Sequence, residues 1–196
     1  VRLRPLLRFL ACAATAAIAA PAASQSFSDP GLGFGAHVLL SKGRAAGDVS
    51  LAGGLHLRYR PTASLGLEGR IGFRRETVDD GSGPLLELLE LPLTGTAQVF
   101  FLPRTRFQPF LLGGAGLHVV KWTPKGRNTT EGGATEALFA LHAGAGLDVR
   151  PSRSSAVHLD GRWVFLEPTA VADLEKAGFS TRPGYLSITL GVTFFR

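Results

Sequence analysis

LAGGLHLRYR (residues 51–60) alternates at every position. Leu51, Gly53, Leu55, Leu57 and Tyr59 fall on one side of an extended chain, and Ala52, Gly54, His56, Arg58 and Arg60 on the other. A strand turns successive side chains to opposite faces, so the stretch carries one apolar and one basic face. Two settings fit it. In a soluble protein the leucines would meet a core and the arginines water. In an outer membrane the leucines would meet lipid and the arginines the inside of a barrel.

The same alternation recurs along the chain. Leu32, Phe34, Ala36, Val38 and Leu40 share a face before it, and Leu65, Leu67, Gly69, Ile71 and Phe73 after it. Further runs place Leu91 to Phe101, Leu111 to Val119, Phe139 to Val149, Val157 to Phe165 and Leu186 to Phe194 on apolar faces by steps of two. This predicts eight strands of about ten residues, the length a tilted strand needs to cross a bilayer. The connections alternate in length. Long breaks at 42–48, 76–84, 123–136 and 167–183 interleave with tight turns at 61–64, 102–106 and 151–155, where Pro61 and Pro151 stop strands. Short periplasmic turns and longer external loops give outer-membrane barrels this asymmetry. The longest break, 167–183, has room for one helical turn.

The composition agrees. The chain has 196 residues, enough for one domain of ordinary size, with 25 glycines among short alternating runs, which favours all-β. Its formal charge of +6 includes Arg2, Arg4 and Arg8 in VRLRPLLRFLACAATAAIAAPAASQS. That opening has a basic start, an apolar stretch from Phe9 to Ala20 too short to span a bilayer, and small residues suited to cleavage after Ala22 or Ser24. The expected organisation is a cleaved signal peptide (1–24), a polar lead-in (25–30) and an outer-membrane β-barrel (31–196). Without the leader 18 basic residues face 15 acidic ones, a balance that gives no case for nucleic-acid binding. Cys12 is the single cysteine, too near Arg8 for a lipoprotein signal, so the mature chain needs no disulfide.

The apolar faces hold no charged residue or histidine at their centres, as lipid requires: an arginine at the midplane costs about 2–4 kcal/mol. A soluble barrel would also keep one face clean, so the aromatic residues matter. Phe34, Tyr59, Phe101, Phe107, Phe194 and Phe195 lie toward the short-turn end, and Phe73, Trp122, Phe165 and Tyr185, with Trp163 nearby, toward the long-loop end. Tyr59, Phe73, Phe101, Trp163, Phe165 and Phe194 are the expected aromatic girdle.

LELPLTGTAQVFF (89–101), RFQPFLLGGAGLHVV (106–120), ALHAGAGLDVR (140–150), VHLDGRWVF (157–165) and LSITLGVTFF (186–195) resemble, in order and spacing, the strands of the small eight-stranded outer-membrane β-barrel proteins, the porin-like, OmpX- and OmpW-like group. The resemblance implies an eight-stranded antiparallel up-and-down transmembrane β-barrel in a Gram-negative outer membrane. It also implies a monomer in contact with membrane lipid and lipopolysaccharide, delivered by periplasmic chaperones to the barrel-assembly machinery. That machinery reads a terminal aromatic; the sequence ends FFR, so Arg196 departs from the pattern and Phe194 or Phe195 would serve.

The inward faces carry the chemistry. Arg58 is expected opposite Glu68 or Gly66, Arg60 beside Arg70, and Asp148, Arg150, Asp160 and Arg162 crowded together in the periplasmic half. Buried charges must be paired, so Arg58, Glu68, Arg70, Asp148, Arg150, Asp160 and Arg162 are expected to form a network that plugs the lumen. The alternative is a narrow anion-leaning pore lined by Arg58, Arg70, Arg74, Arg150 and Arg162. His37, His56, His118, His142 and His158 all fall on inward faces, scattered over five strands, which favours lumenal hydrogen bonding over a metal site. Ser187 and Thr189 also point inward, so no nucleophile and base share the lipid face as a deacylase would need. No catalytic residue, metal or cofactor is expected. The sequence thus points to a non-enzymatic barrel in envelope integrity or surface interaction, with a narrow porin-like channel as the alternative.

Overall fold

A computed structural model describes residues 31–42, 49–79, 84–124, 135–167 and 184–196. The leader with Arg2, Arg4, Arg8 and Cys12, the lead-in, the 168–183 stretch and the Trp122 side chain lie outside the described part. Eight strands follow in order: β1 (Gly31–Lys42), β2 (Val49–Arg60), β3 (Leu65–Asp79), β4 (Pro84–Phe100), β5 (Phe107–Pro124), β6 (Thr135–Ser152), β7 (Ser155–Leu166) and β8 (Gly184–Phe195). Each pairs antiparallel with the next, and β1 closes on β8. Closure satisfies every strand edge with a neighbour, the condition for a sheet to cross hydrocarbon.

The strands are longer than the ten residues expected. β1, β2, β7 and β8 have 12 residues, whereas β3 to β6 have 15 to 18. The breaks read at 76–84 and 123–136 shrink accordingly: β3 runs to Asp79 and β4 starts at Pro84, and β5 runs to Pro124 and β6 starts at Thr135. Polar residues such as Glu76, Glu87 and Thr135 mark where strands leave the lipid, not where pairing ends. Leu88 opposite Glu76 and Trp122 opposite Leu88 show the ladders continuing.

The faces sort by medium. Leu55, Leu57, Leu67, Ile71, Leu93, Leu111, Leu141, Leu159 and Ile188 are exposed on the outside, while the largest fully buried side chains are Arg58, Arg60 and Arg150 on the inside. Such an inversion of a soluble core is what lipid contact demands. Among the described residues, outward charges on the strands occur at the long-loop end: Lys42, Arg75, Glu87 and Lys121. Arg75 and Lys121 sit one outward position beyond Phe73 and Val119, Lys42 one beyond Leu40 and Glu87 two beyond Leu91, and so they mark the outer interface.

An eight-stranded barrel leaves an interior only wide enough for side chains, and glycine on the inner face makes that room. A Cβ on Gly144 would lie 2.0 Å from the Gly161 carbonyl oxygen, whereas one on outward Gly161 would meet nothing within 4 Å. Gly144→Ala is therefore expected to destabilise the barrel by about 1–3 kcal/mol, with Gly161→Ala within about 0.5 kcal/mol of wild type. Urea unfolding in detergent micelles, followed by tryptophan fluorescence, measures both.

Candidate functional site

The lumen is the site, and its lining is layered. Nearest the short turns, Phe100, Phe110 and Leu112 form a buried apolar cluster. The Arg60 guanidinium lies 4.0 Å over the Phe100 ring and donates through Nη1 to Gln108 Oε1 at 2.7 Å and through Nη2 to the Ala63 carbonyl. Gln108 in turn donates to the carbonyls of Pro103 and Thr105. Arg150 lies 4.6 Å over the Phe195 ring and donates to the Arg153 carbonyl at 3.0 Å. Cation–π contacts and carbonyl dipoles hold these buried cations.

The next layer is ionic. β2 pairs with β3 so that Tyr59 faces Leu67 and Arg58 faces Glu68. Arg58 donates from Nε (3.0 Å) and Nη2 (2.7 Å) to Glu68 Oε2, and from Nη1 to both oxygens of Asp148 (2.8 and 3.1 Å). Glu68 Oε1 accepts from Arg70 Nε and from Arg162 Nη2 (3.0 Å). Asp160 accepts from Arg70 Nη2 (2.9 Å) and Arg162 Nε (2.6 Å). Three guanidiniums and three carboxylates thus join β2, β3, β6 and β7 in one charge-balanced cluster, its members all buried. Charge-assisted, forked bonds of this kind are the strongest hydrogen bonds a protein makes.

Two details differ from the sequence reading. Arg60 and Arg70 are not neighbours: Arg70 faces His56, and Arg60 faces Gly31 at the far end of β2. A register that opposes Arg58 to Glu68 leaves Arg60 beyond the ladder with β3. Nor do Asp148, Arg150, Asp160 and Arg162 crowd together directly: Asp148, Asp160 and Arg162 are joined through Arg58 and Glu68, and Arg150 packs on Phe195. Asp148 bonds across the lumen to Arg58, Asp160 and Arg162 face Gly146 and Gly144, and Arg150 sits a rung nearer the turns. The glycines give the guanidiniums space to turn toward Glu68 instead.

The histidines are also less dispersed than their spacing implied. His37 and His56 have ring centroids 5.7 Å apart, and His56 and His158 5.1 Å. His56 bonds to Thr193 and His142 to Thr96. Closure brings β1, β2 and β7 together here, a long-range consequence that no local spacing reveals. His56, Glu68 and His158 offer ligand atoms within 4.8 Å of one another. The donor set does not suit a cation, because both Glu68 oxygens already accept from guanidiniums and three arginines surround the place.

Toward the long loops lies a layer of which the sequence reading placed Arg74 and His118 inward but not Glu76 and Glu90. Arg74 donates to Glu76 at 2.6 Å and stands 3.6 Å from Glu90; His118 Nδ1 meets Glu90 Oε1 at 2.5 Å. Beside them Leu88, Val120, Leu138, Ala140, Val164, Leu166 and Tyr185 form a buried apolar cluster. The signal was the inward parity of Leu88 and Glu90, continuing that of Pro92 and hidden when the strand was begun at Leu91.

Of the expected girdle, Tyr59, Phe73, Phe101, Trp163, Phe165 and Phe194 all point outward and are about half exposed. Tyr185 and Phe195 do not join them. Tyr185 is buried with Arg74 4.9 Å over its ring, and Phe195 lies under Arg150. Both share the parity of Thr189 and Thr193, which face the lumen.

Glu68→Ala would leave three buried guanidiniums short of a partner and is expected to cost about 3–5 kcal/mol. Arg75→Ala, which removes an outer pair with Glu87 whose arginine is largely exposed, is expected to cost under about 1 kcal/mol. Urea midpoints in the same micelle separate the two.

The architecture is similar to that of several solved outer-membrane barrels. The N-terminal β-barrel domain of Pseudomonas aeruginosa OprF matches with a TM-score of 0.56 at 13% identity, covering 86% of this chain and 100% of that one. Neisserial surface protein A matches with a TM-score of 0.60 at 12% identity, covering 85% and 97%. Ail, the attachment invasion locus protein of Yersinia pestis, in complex with the heparin analogue sucrose octasulfate, matches with a TM-score of 0.53 at 14% identity, covering 86% and 97%. None of the curated proteins matches the chain. The family model for the outer membrane protein beta-barrel domain matches residues 9–185. With a closed eight-stranded barrel, an apolar exterior and that match over most of its length, the chain belongs to the family of outer-membrane β-barrel domain proteins.

Proposed function

We propose that this barrel is a non-enzymatic outer-membrane protein whose lumen is plugged by its own side chains, and that it acts in envelope integrity or surface interaction through its extracellular loops. The observation that carries this reading is the ionic layer. The bonds Arg58–Asp148, Arg58–Glu68, Glu68–Arg162 and Arg162–Asp160 run from β2 across to β6 and β7. Apolar clusters lie on either side of it along the barrel axis. A solute passing through would have to break charge-assisted bonds in a space without water to replace them.

The reading extends to the partners. The 1–24 segment has the form of a signal for export across the inner membrane, and the strand pattern suits delivery by periplasmic chaperones to the barrel-assembly machinery. Arg75 and Lys121 flank Leu89 on adjacent strands at the outer rim, where they suit the phosphates of lipopolysaccharide. Ail, an attachment invasion protein solved with a heparin analogue, offers a precedent for a surface role on the same architecture. The barrel is proposed to work as a monomer.

In planar bilayers the wild-type barrel is expected to pass no steady current. The Arg58→Ala/Arg162→Ala variant, which removes two of the layer's three guanidiniums, is expected to conduct. A steady anion-selective current through the wild type would overturn the plug and favour a narrow porin-like channel.

A further inference from the structure

The two ends of the barrel differ in the sign of the charge they show outside the lumen. Among the described residues, the long-loop end carries both signs, Lys42, Arg75 and Lys121 against Glu87, Glu136 and Glu167. The short-turn end carries one. Arg104, Arg153 and Arg196 are exposed there and Arg106 is half-buried, and no described acid accompanies them on that rim. The described carboxylate nearest this end is Asp148, which is buried and accepts from Arg58 with both oxygens. Arg60 adds a buried cation beneath the rim, held by Gln108, the Ala63 carbonyl and the Phe100 ring rather than by a carboxylate.

Backbone bonds bring these arginines to one side of the rim. The Arg150 N–H donates to the Arg106 carbonyl at 2.9 Å, which joins the turn between β4 and β5 to the end of β6. The Phe195 N–H donates to the Ser154 carbonyl at 2.8 Å, which joins the end of β8 to the turn between β6 and β7. Arg104 stands in the first of these turns, Arg153 in the second and Arg196 just past β8. A basic arc thus runs along the short-turn ends of β5 to β8.

The depth of the arc follows from the side chains alongside it. Phe101, Leu102, Phe107 and Phe194 point outward and are more than half exposed. Arg104 falls between Leu102 and Phe107, in a turn closed by a bond from the Thr105 N–H to the Leu102 carbonyl at 3.2 Å. Only Arg153 and Ser154 separate β6 from β7. Connections this tight hold their arginines beside the apolar belt, and an arginine stem lies along apolar surface while its guanidinium reaches the polar medium. The cations therefore sit where acyl chains give way to head groups. Short turns of such barrels face the periplasm, so the leaflet is the inner one.

We propose that this arc binds anionic phospholipid head groups of the inner leaflet, with phosphatidylglycerol as the type. The phosphodiester oxygens accept forked hydrogen bonds from the guanidiniums. A zwitterionic head offers the same phosphate but brings a cation of its own to a rim with no described acid to receive it, so net charge decides the selection. The long-loop end, with carboxylates among its cations, lacks this one-sided field. The inference is independent of whether the lumen is plugged.

The test places a reporter at each end of the full-length barrel in nanodiscs. Leu102→Trp in a Trp122→Phe/Trp163→Phe background reports on the short-turn end, and Trp163 in Trp122→Phe on the long-loop end. Quenching by phosphatidylglycerol brominated on its acyl chains is compared with quenching by phosphatidylcholine brominated in the same way. At the Leu102→Trp reporter phosphatidylglycerol is expected to be preferred about fivefold or more, the factor that even one arginine near an anionic surface supplies. Adding Arg104→Gln/Arg153→Gln/Arg196→Gln is expected to bring the two lipids within about twofold of each other, and adding Arg75→Gln/Lys121→Gln to leave the short-turn preference unchanged. Raised salt screens exposed charges and is expected to lower the preference without any substitution in the arc. It keeps the test decisive should the triple variant fail to fold, as heat-modifiable mobility shows. Equal quenching by the two lipids, a preference indifferent to salt, or one that survives in the folded triple variant would overturn the proposal. Retention of the barrel on peptidoglycan sacculi without any lipid preference would overturn it too, and would assign the arc to peptidoglycan carboxylates.

Discussion

A barrel of eight strands has no room for bulk water inside, and that constraint governs the molecule. Polar groups turned inward look for partners among other side chains and backbone carbonyls. The result is visible in Glu68, whose two oxygens serve Arg58, Arg70 and Arg162 at once. Removing solvent makes each of these bonds strong and each missing partner expensive. Stability and the positions of the glycines both follow from the same shortage of space.

Glycine and arginine are complementary in this arrangement. Inner-face glycines such as Gly144 and Gly146 lie opposite Arg162 and Asp160 on β7, so a long side chain on one strand occupies the space its neighbour leaves. The outer face has the opposite need. Leu, Ile, Val and Phe project into lipid there, and charge returns only at the rim, with Lys42, Arg75, Glu87 and Lys121. One alternating pattern therefore answers two solvents, and the strands stay paired beyond the membrane on the β3–β6 side, where the inner face becomes an apolar cluster around Leu138 and Val164.

The axial order of the lining separates roles along the lumen. Aromatic rings and buried cations close the short-turn end, the ionic layer crosses the middle, and above it the lining mixes Arg74, Glu90, His37 and His118 around open space. The charged groups of the middle find their partners within the layer. In the upper lumen Arg74 Nε and His118 Nε2 are buried without hydrogen-bond partners.

Strand number, antiparallel order, the inside and outside of each strand and the outward aromatics were legible in the sequence, because a period of two is a local property that pleating imposes on any extended chain. Arg58 opposite Glu68 came close to being legible, since a tight turn at 61–64 limits the register to neighbouring choices. Tertiary structure alone decided the rest. The bond from Arg58 to Asp148, 90 residues away, the ring contacts of His56 with His37 and His158, and the arginines that Tyr185 and Phe195 meet depend on closure of the barrel and on side chains meeting within the lumen. Alternation states which way a side chain points, but only the closed circle of strands determines what it meets there.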